Sequence, residues 1–284
     1  MTTLGLLHST IRAEEKLLLE AARTRGVAVK PVDIRTAVLG PGLFPLDFDV
    51  ALERSVSTVK GTYAVSFLEA QGLPVVNSLA VARNCQDKFQ TSLLLHQAGI
   101  PTPRFALVFE LEQALQAVDS LGGFPVVLKP PLGSWGRLLA KVNDRDALEA
   151  LLEHKDVLGT PPQKAHYLQE FVRKPGRDIR AFVVGGRTIC AIYRESGHWI
   201  TNTARGAVAK NCPVGGDLSG LCARVSAAIG GGLLAVDVFE TGAGLTVNEV
   251  NHTMEFRNSQ VPTGVDIAGA IIEYCAGLAE GRRP

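Results

Sequence analysis

Two acids and an amide near the C-terminus carry the first chemical signal. Leu233–Glu240 and Leu245–Asn251 read as strands around a Gly242-Ala243-Gly244 turn. A turn centred on Ala243 sets Asp237 directly across from Glu249, with Asn251 two residues on and on the same face. Two carboxylates about 4 Å apart repel by roughly 4 kcal/mol at an effective dielectric near 20. A hard divalent cation removes that cost. An oxygen-only ligand set favours Mg²⁺ over Zn²⁺, the more so if phosphates complete the shell. The plain alternative is a solvated edge hairpin with scattered acids. Val236, Val238, Val247 and Val250 argue against it, because so apolar an opposite face belongs to a central strand.

A second constellation is Phe124–Lys129, an apolar strand that ends on a lysine and runs into Pro130-Pro131 and then Gly133-Ser134-Trp135-Gly136-Arg137. A lysine at a strand end beside a glycine-containing loop can clamp phosphate, the Lys as point charge and the loop through its N–H groups. A surface turn is the other reading, since neither a GxxxxGK[ST] loop nor a GxGxxG fingerprint is present. Gln169-Glu170-Phe171-Val172 ends a strand and can offer backbone groups and a carboxylate to a purine edge, or be solvated. Arg194, His198, Trp199, Asn202, Thr203 and Arg205 form a basic, polar run. Its arginines suit phosphate or carboxylate. His198 reads as a base or as an orienting group, and Trp199 as a site or a core residue. Lys88, after Asp87 on an expected Asn84–Gln97 helix, does not stand out by composition.

The elements that must position these groups fall into three stretches. Thr3–His8, Val27–Val32, Asp49–Arg54 and Val75–Asn77 read as strands alternating with helices at Ala13–Arg25 and Thr58–Gln71, a small parallel α/β lobe. After Pro101 and Pro103 come helices at Leu111–Leu121 and Asp144–His154 and strands at Phe124–Lys129 and His166–Val172, a mixed α+β segment. From Asp178 the chain is strand-rich. Ile179–Val184 and Thr188–Tyr193 flank Gly185-Gly186 as a hairpin, a helix follows at about 217–228, then the acid-bearing hairpin, then a helix at Ile267–Leu278.

Composition narrows the class. The 284 residues are 46% hydrophobic and 20% charged, an ordinary globular balance with room for two or three lobes around a cleft. A net charge of +1 argues against nucleic acid or an anionic membrane as main partner. Cys85, Cys190, Cys212, Cys222 and Cys275 include no CxxC pair and read as reduced, mostly buried thiols. With no leader-like start and no membrane-length apolar run, a cytoplasmic enzyme is expected.

In order and spacing, these pieces resemble the ATP-grasp superfamily over nearly the whole chain. They are Asp87-Lys88, Val127–Pro130, Gly133–Arg137, Gln169–Val172, Gly176–Arg180, Asp237 and Asn248–Asn251. The likeness is to the RimK-type branch. It is closest to the LysX family in GSWGRLLAKV (133–142), KPGRDIR (174–180), HWITNTARG (198–206) and NEVNHTMEF (248–256). Ala207 departs from the pattern, where a second glycine is expected.

The resemblance implies an ATP-grasp fold of α/β and α+β class. A pre-ATP-grasp lobe over 1–84 would join a central lobe over 85–172, with a mobile Gly-rich loop, and a C-terminal lobe over 173–284 with the metal site, the last two clasping ATP. It implies an ATP-dependent carboxylate–amine ligase that works through an acyl-phosphate. LysX-type enzymes join the γ-carboxylate of the C-terminal glutamate of a small acidic carrier, LysW, to the amine of α-aminoadipate. The sister ArgX type uses glutamate, and RimK-type ligases add glutamate to a protein tail. The pair Asn258-Ser259 is of the aminoadipate kind. By resemblance, Lys88 and Lys129 would hold ATP phosphates under Gly133, Ser134, Trp135, Gly136 and Arg137. Gln169, Glu170, Phe171 and Val172 would hold adenine, and Asp178 the ribose side. Arg194, Asn202 and Thr203 would lie at the nucleotide's reacting end. Asp237, Glu249 and Asn251 would bind two Mg²⁺. His198, Trp199, Asn258 and Ser259 would form the amino-acid pocket, and Arg180 and Arg205 would hold carboxylate or acyl-phosphate. A homo-oligomer is expected. Basic residues at 137, 141, 173, 174 and 177 are candidates for docking the acidic carrier.

Overall fold

The structure is a computed structural model that describes residues 2–133, 138–201 and 206–281. Four parallel strands open the chain: β1 (Thr3–His8), β2 (Ala28–Asp33), β3 (Val50–Glu53) and β4 (Val75–Val76), in the order β2-β1-β3-β4. Helices α1 (Ala13–Thr24) and α2 (Thr58–Ala70) make the crossovers, as the strand–helix alternation required.

The expected Asn84–Gln97 helix is in fact two, α3 (Leu79–Gln86) and α4 (Lys88–Gln97). Asp87 between them is extended, and its carboxylate accepts from the N–H groups of Phe89 and Gln90. A side chain that caps one helix cannot continue another, so the break is local chemistry. It matters because Lys88 now starts a helix, with its own N–H donated to the Pro131 carbonyl at 2.9 Å.

The central antiparallel sheet has the order β5-β8-β6-β7, from β5 (Phe105–Val108), β6 (Val126–Lys129), β7 (Ala140–Val142) and β8 (His166–Glu170). The short strands β5 and β7 were not read from the sequence. Helices α5 (Leu111–Ser120) and α6 (Arg145–Leu158) cover one face through Leu128, Leu148 and Leu168. The other face carries Lys129, Tyr167 and Gln169, all buried.

The third sheet runs β11-β10-β9-β12-β13, from β9 (Arg177–Val184), β10 (Arg187–Glu195), β11 (Val208–Cys212), β12 (Leu233–Thr241) and β13 (Gly244–Asn251). Gly185 and Gly186 both take positive φ, 53° and 80°, as a two-residue hairpin turn needs. One face packs on α7 (Gly216–Ile229) through Ala181, Val236, Val247 and Val250. The opposite face begins as core: Phe182, Ile192 and Ala235 pack with Leu4, Leu52 and the closing helix α8 (Ile267–Ala279). Two residues further along β9, β10 and β12, that same face becomes Arg180, Arg194 and Asp237.

Buried polar contacts join the first sheet to this hairpin. Asn77 donates to the carbonyls of Leu233 and His252 and accepts from the Leu233 N–H, at 2.8, 2.6 and 2.7 Å. Arg54 donates to the Met254 carbonyl at 2.8 Å while its Nε pairs with Glu15. All five cysteines are free, four of them buried. No described helix is long and apolar enough to cross a membrane.

Candidate active site

The registers of the third sheet line up a row of charges. Arg194 stands opposite Asp178, Arg180 opposite Asp237, and Asp237 opposite Glu249. Asp178 and Arg180 are two apart on β9 and share a face. Arg194, 1% exposed, is gripped by Asp178 through Nε and Nη2 at 2.6 and 2.8 Å, and its Nη2 also reaches Asp237 at 3.1 Å. Arg180 holds Asp237 with two bonds of 2.8 Å. The far end is Lys174, which donates to Thr201 at 2.6 Å and lies 3.4 Å from Asp178. Thr201 donates in turn to Asp178.

These groups set one another's charge. Burial works against the Asp237 carboxylate, but Arg180 and Arg194 outweigh it and hold its pKa at about 2. Burial likewise opposes the Arg194 guanidinium, and Asp237 and Asp178 more than restore it. Lys174 is pushed down, by burial first, with Arg194 adding to it. Asp178 is therefore the anchor of Arg194, which leaves less of it for a ribose than the resemblance implied.

Asp237 and Glu249 face each other as expected, by a different route. The tight loop is Gly242-Ala243, with Thr241 opposite Gly244, and a β-bulge between Asp237 and Val238 restores the pairing. The extra residue is Asn248, so Asn248 and Glu249 both face the cleft while Val247 and Val250 stay in the core. No cation is needed to relieve repulsion here, because Arg180, Arg194 and Lys88, 3.5 Å from Glu249, already balance both acids. Among the described residues, no three His, Cys, Asp or Glu side chains cluster as a metal cage. The donors do fit Mg²⁺, which keeps waters and phosphates in its shell. Glu249 is 28% exposed, and the Asn251 Nδ2 is buried without a partner, so no bond from that nitrogen holds the amide in place.

The opposite wall holds the lysines. Lys129 ends β6 and donates to Gln169 at 2.6 Å and to Asn248 at 3.2 Å across the cleft. Burial pushes its ammonium down to about 8, against the pull of Glu249 and with a further push from Lys88. Lys88 donates to the Gly133 carbonyl, which places the α4 start at the loop after β6.

The rim departs further from expectation. The Glu170 carboxylate is taken by Arg104, whose backbone N–H and Nε donate at 2.9 and 2.8 Å. Phe171, Val172, His198 and Trp199 line the cleft, with Phe171 edge-on to Trp199 and the Lys141 ammonium 4.3 Å from the Phe171 ring centre. Trp199 is thus at the site, not in the core. Asn258 is exposed and Ser259 buried, and neither lines the cleft. Ser134, Trp135, Gly136, Arg137, Asn202, Thr203 and Arg205 lie outside the described residues. Of the proposed docking cations, Lys174 belongs to the buried row and Arg177 pairs with Glu240 at 2.7 Å, which leaves Lys141 on Phe171 and Arg173 exposed. Sequence reasoning missed Asn248, Thr201 and Arg104. Strict alternation hid the role of Asn248, Thr201 was carried inside the HWITNTARG segment without a role, and nothing in the sequence marks Arg104.

The cleft between the two sheets measures about 350 Å³. Of the residues lining it, Glu170, Asp178, Asp237 and Glu249 are negative and Lys88, Lys129, Arg173, Lys174 and Arg194 positive, with Arg180 held against Asp237 from behind, a surplus of two when Arg180 is included. A low-dielectric cleft with surplus positive charge and carboxylates at one end suits a polyphosphate with its cation. The comparisons agree with that arrangement. Residues 85–275 match the RimK-like ATP-grasp domain, and residues 4–84 the LysX preATP-grasp domain. The chain belongs to the RimK-like ATP-grasp family. It is 35% identical over 269 residues to the alpha-aminoadipate–LysW ligase LysX of Saccharolobus solfataricus, covering 93% of this chain and 98% of that one. It is 32% identical to the glutamate–LysW ligase ArgX of Sulfurisphaera tokodaii, covering 95% and 96%. A RimK domain ATP-grasp protein of Sphaerobacter thermophilus superposes with a TM-score of 0.80 at 31% identity, covering 97% of this chain and 100% of that one. The expected ATP-grasp fold is therefore present, and the family makes this chain an ATP-dependent carboxylate–amine ligase that uses Mg²⁺.

Proposed function

We propose that this ligase joins the γ-carboxylate of the C-terminal glutamate of a small acidic LysW-type carrier to the amino group of α-aminoadipate. The observation that carries the reading is the cationic row facing Lys88 and Lys129 across one cleft, with Asp237 and Glu249 at its end and Asn251 two residues beyond Glu249, outside the cleft lining. Lys88 and Lys129 would hold the ATP phosphates. Asp237, Glu249 and Asn251 would hold Mg²⁺, which when bound neutralises phosphate charge as the γ-phosphoryl group leaves. Two such ions are proposed.

The residues of this chain then act by position. Arg194, fixed by two carboxylates, presents a guanidinium that needs no reorganisation as charge develops. The carboxylate oxygen of the carrier takes the γ-phosphoryl group. The amine attacks the acyl carbon, the C–N bond forms, the C–O bond to phosphate breaks, and the amine loses a proton. His198, exposed at the rim beside Trp199, would orient the incoming amino acid. The choice of aminoadipate over glutamate rests on the resemblance of Asn258-Ser259 alone, since neither side chain lines the cleft.

The test is ADP release with Mg²⁺-ATP and a LysW-type carrier, with α-aminoadipate or glutamate, read with the intact mass of the carrier. A mass gain with aminoadipate alone supports the reading. A gain with glutamate alone moves the enzyme to the ArgX type, and no gain with either refutes the acceptor.

A further inference from the structure

Lys129 faces its neighbours in a fixed order. It stands opposite Tyr167, and Gln169 is diagonal to it on the same face of β8. The Gln169 Oε1 accepts from the Lys129 ammonium at 2.6 Å, and the Gln169 Nε2 donates to the Tyr167 hydroxyl at 3.3 Å. That hydroxyl is 2.8 Å from the Ser92 Oγ on α4, the helix whose first residue is Lys88. All four side chains are buried.

We propose that Tyr167 is a positioning residue for the triphosphate: through Gln169 it fixes where the Lys129 ammonium points, and through Ser92 it ties that ammonium to the helix that begins with Lys88. The proposal rests on reading Lys129 as a phosphate ligand.

The logic is in the donor and acceptor order. An amide side chain has one accepting end and one donating end. With the phenol accepting from its nitrogen, Gln169 turns its oxygen to Lys129. The reversed amide would aim N–H groups at an ammonium. Because the phenol accepts from Gln169, its own proton is free for Ser92. Burial raises the Tyr167 pKa, so the phenol keeps that proton. The ring needs no hydroxyl to pack, since it stacks on Phe105 at 6.0 Å between centres, a contact that Phe reproduces. The hydroxyl therefore orders the polar chain rather than fills the core. A Lys ammonium on a four-carbon stem has many rotamers, and a fixed acceptor removes the alternatives.

The experiment measures binding of AMPPNP with Mg²⁺ and of adenosine to wild type, Tyr167→Phe, Ser92→Ala, Lys129→Met and the Tyr167→Phe/Lys129→Met double variant. Tyr167→Phe is expected to weaken AMPPNP about fivefold, one net hydrogen bond, and to leave adenosine unchanged. The KM for ATP rises by the same factor while that for the amino acid does not. Ser92→Ala acts the same way, about threefold, and carries the test should the Phe variant lose its fold. In the Lys129→Met background, Tyr167→Phe costs nothing further, because it acts through that lysine. AMPPNP affinity within twofold of wild type in both hydroxyl variants overturns the relay. So does a parallel loss of adenosine, or an equal loss in both backgrounds. Unchanged AMPPNP affinity in Lys129→Met alone would refute the phosphate reading itself, a separate outcome.

Discussion

Lys129→Met is expected to make the apo protein more stable while it cripples nucleotide binding. The Lys129 side chain is 5% exposed, and burial depresses its ammonium from 10.5 to about 8. At about 1.4 kcal/mol for each tenfold change in acidity, keeping that charge inside costs about 3 kcal/mol below pH 8. Met matches the stem in length and carries no charge. Against the gain stands the loss of the donor to Gln169 and Asn248, about 1 kcal/mol for each acceptor left unpaired. The balance favours the variant by about 1 kcal/mol, a rise of a few degrees in Tm.

The pH dependence identifies the cause. A lysine whose folded pKa is lowered destabilises fully below that value, and the penalty fades as pH rises toward the unfolded value. The advantage of the variant should therefore be largest at pH 7 and shrink between about 8 and 10.5. Thermal melts of both proteins at pH 7 and pH 10 measure it, and the difference between them removes other groups that titrate there. A variant less stable than wild type at pH 7, or a difference that does not change with pH, refutes the view that the cleft carries a strained charge for ligand binding.

Other perturbations separate site from scaffold. Glu249→Gln loses only a partly exposed 3.5 Å ion pair, so melting should move little while ADP release falls at least a hundredfold. Asp178→Asn leaves Arg194 and Lys174 buried with their shared carboxylate gone. It should cost about 3 kcal/mol in urea unfolding as well as activity. Asn77→Ala removes three buried hydrogen bonds to Leu233 and His252. A loss of about 2–3 kcal/mol is expected from the same assay.

Much of the architecture was legible because apolar periodicity writes it plainly. The parallel lobe, the Gly185-Gly186 hairpin and the acid-bearing hairpin follow from strand runs and turn residues. The break at Asp87 was not legible, because residues 84–97 keep a helical composition on both sides of it. Only the capping of Phe89 and Gln90 by the Asp87 side chain decides it. The site was legible in its residue types and much less in their partners. Glu170 and Asp178 have the chemistry of free acceptors, yet Arg104, 66 residues earlier and just before β5, and Arg194, across the β9–β10 hairpin, claim them. Ion pairs across a sheet depend on register, and register is a tertiary fact.

The acid hairpin shows how narrowly that register is held. With its real two-residue loop and strict alternation, β13 would set Asn248 opposite Asp237 and put Glu249 and Asn251 opposite Val236 and Leu234 on the packed face. Burying an unpaired carboxylate and amide there costs several kcal/mol, far more than one unpaired residue in a ladder. The bulge at Asn248 avoids that cost. It is supported from outside, where the Val247 N–H donates to the Pro101 carbonyl at 2.8 Å and its carbonyl accepts from Thr102 at 2.9 Å. The proline-marked linker thus pins the residue just before the irregularity, and the strand resumes with Val250 in the core. Two consecutive side chains facing one cleft is something no regular strand provides. It lets Asn248 meet Lys129 from across the cleft while Glu249 joins Asp237 beside it. The irregular residue is therefore the one that closes the two walls onto the same ligand.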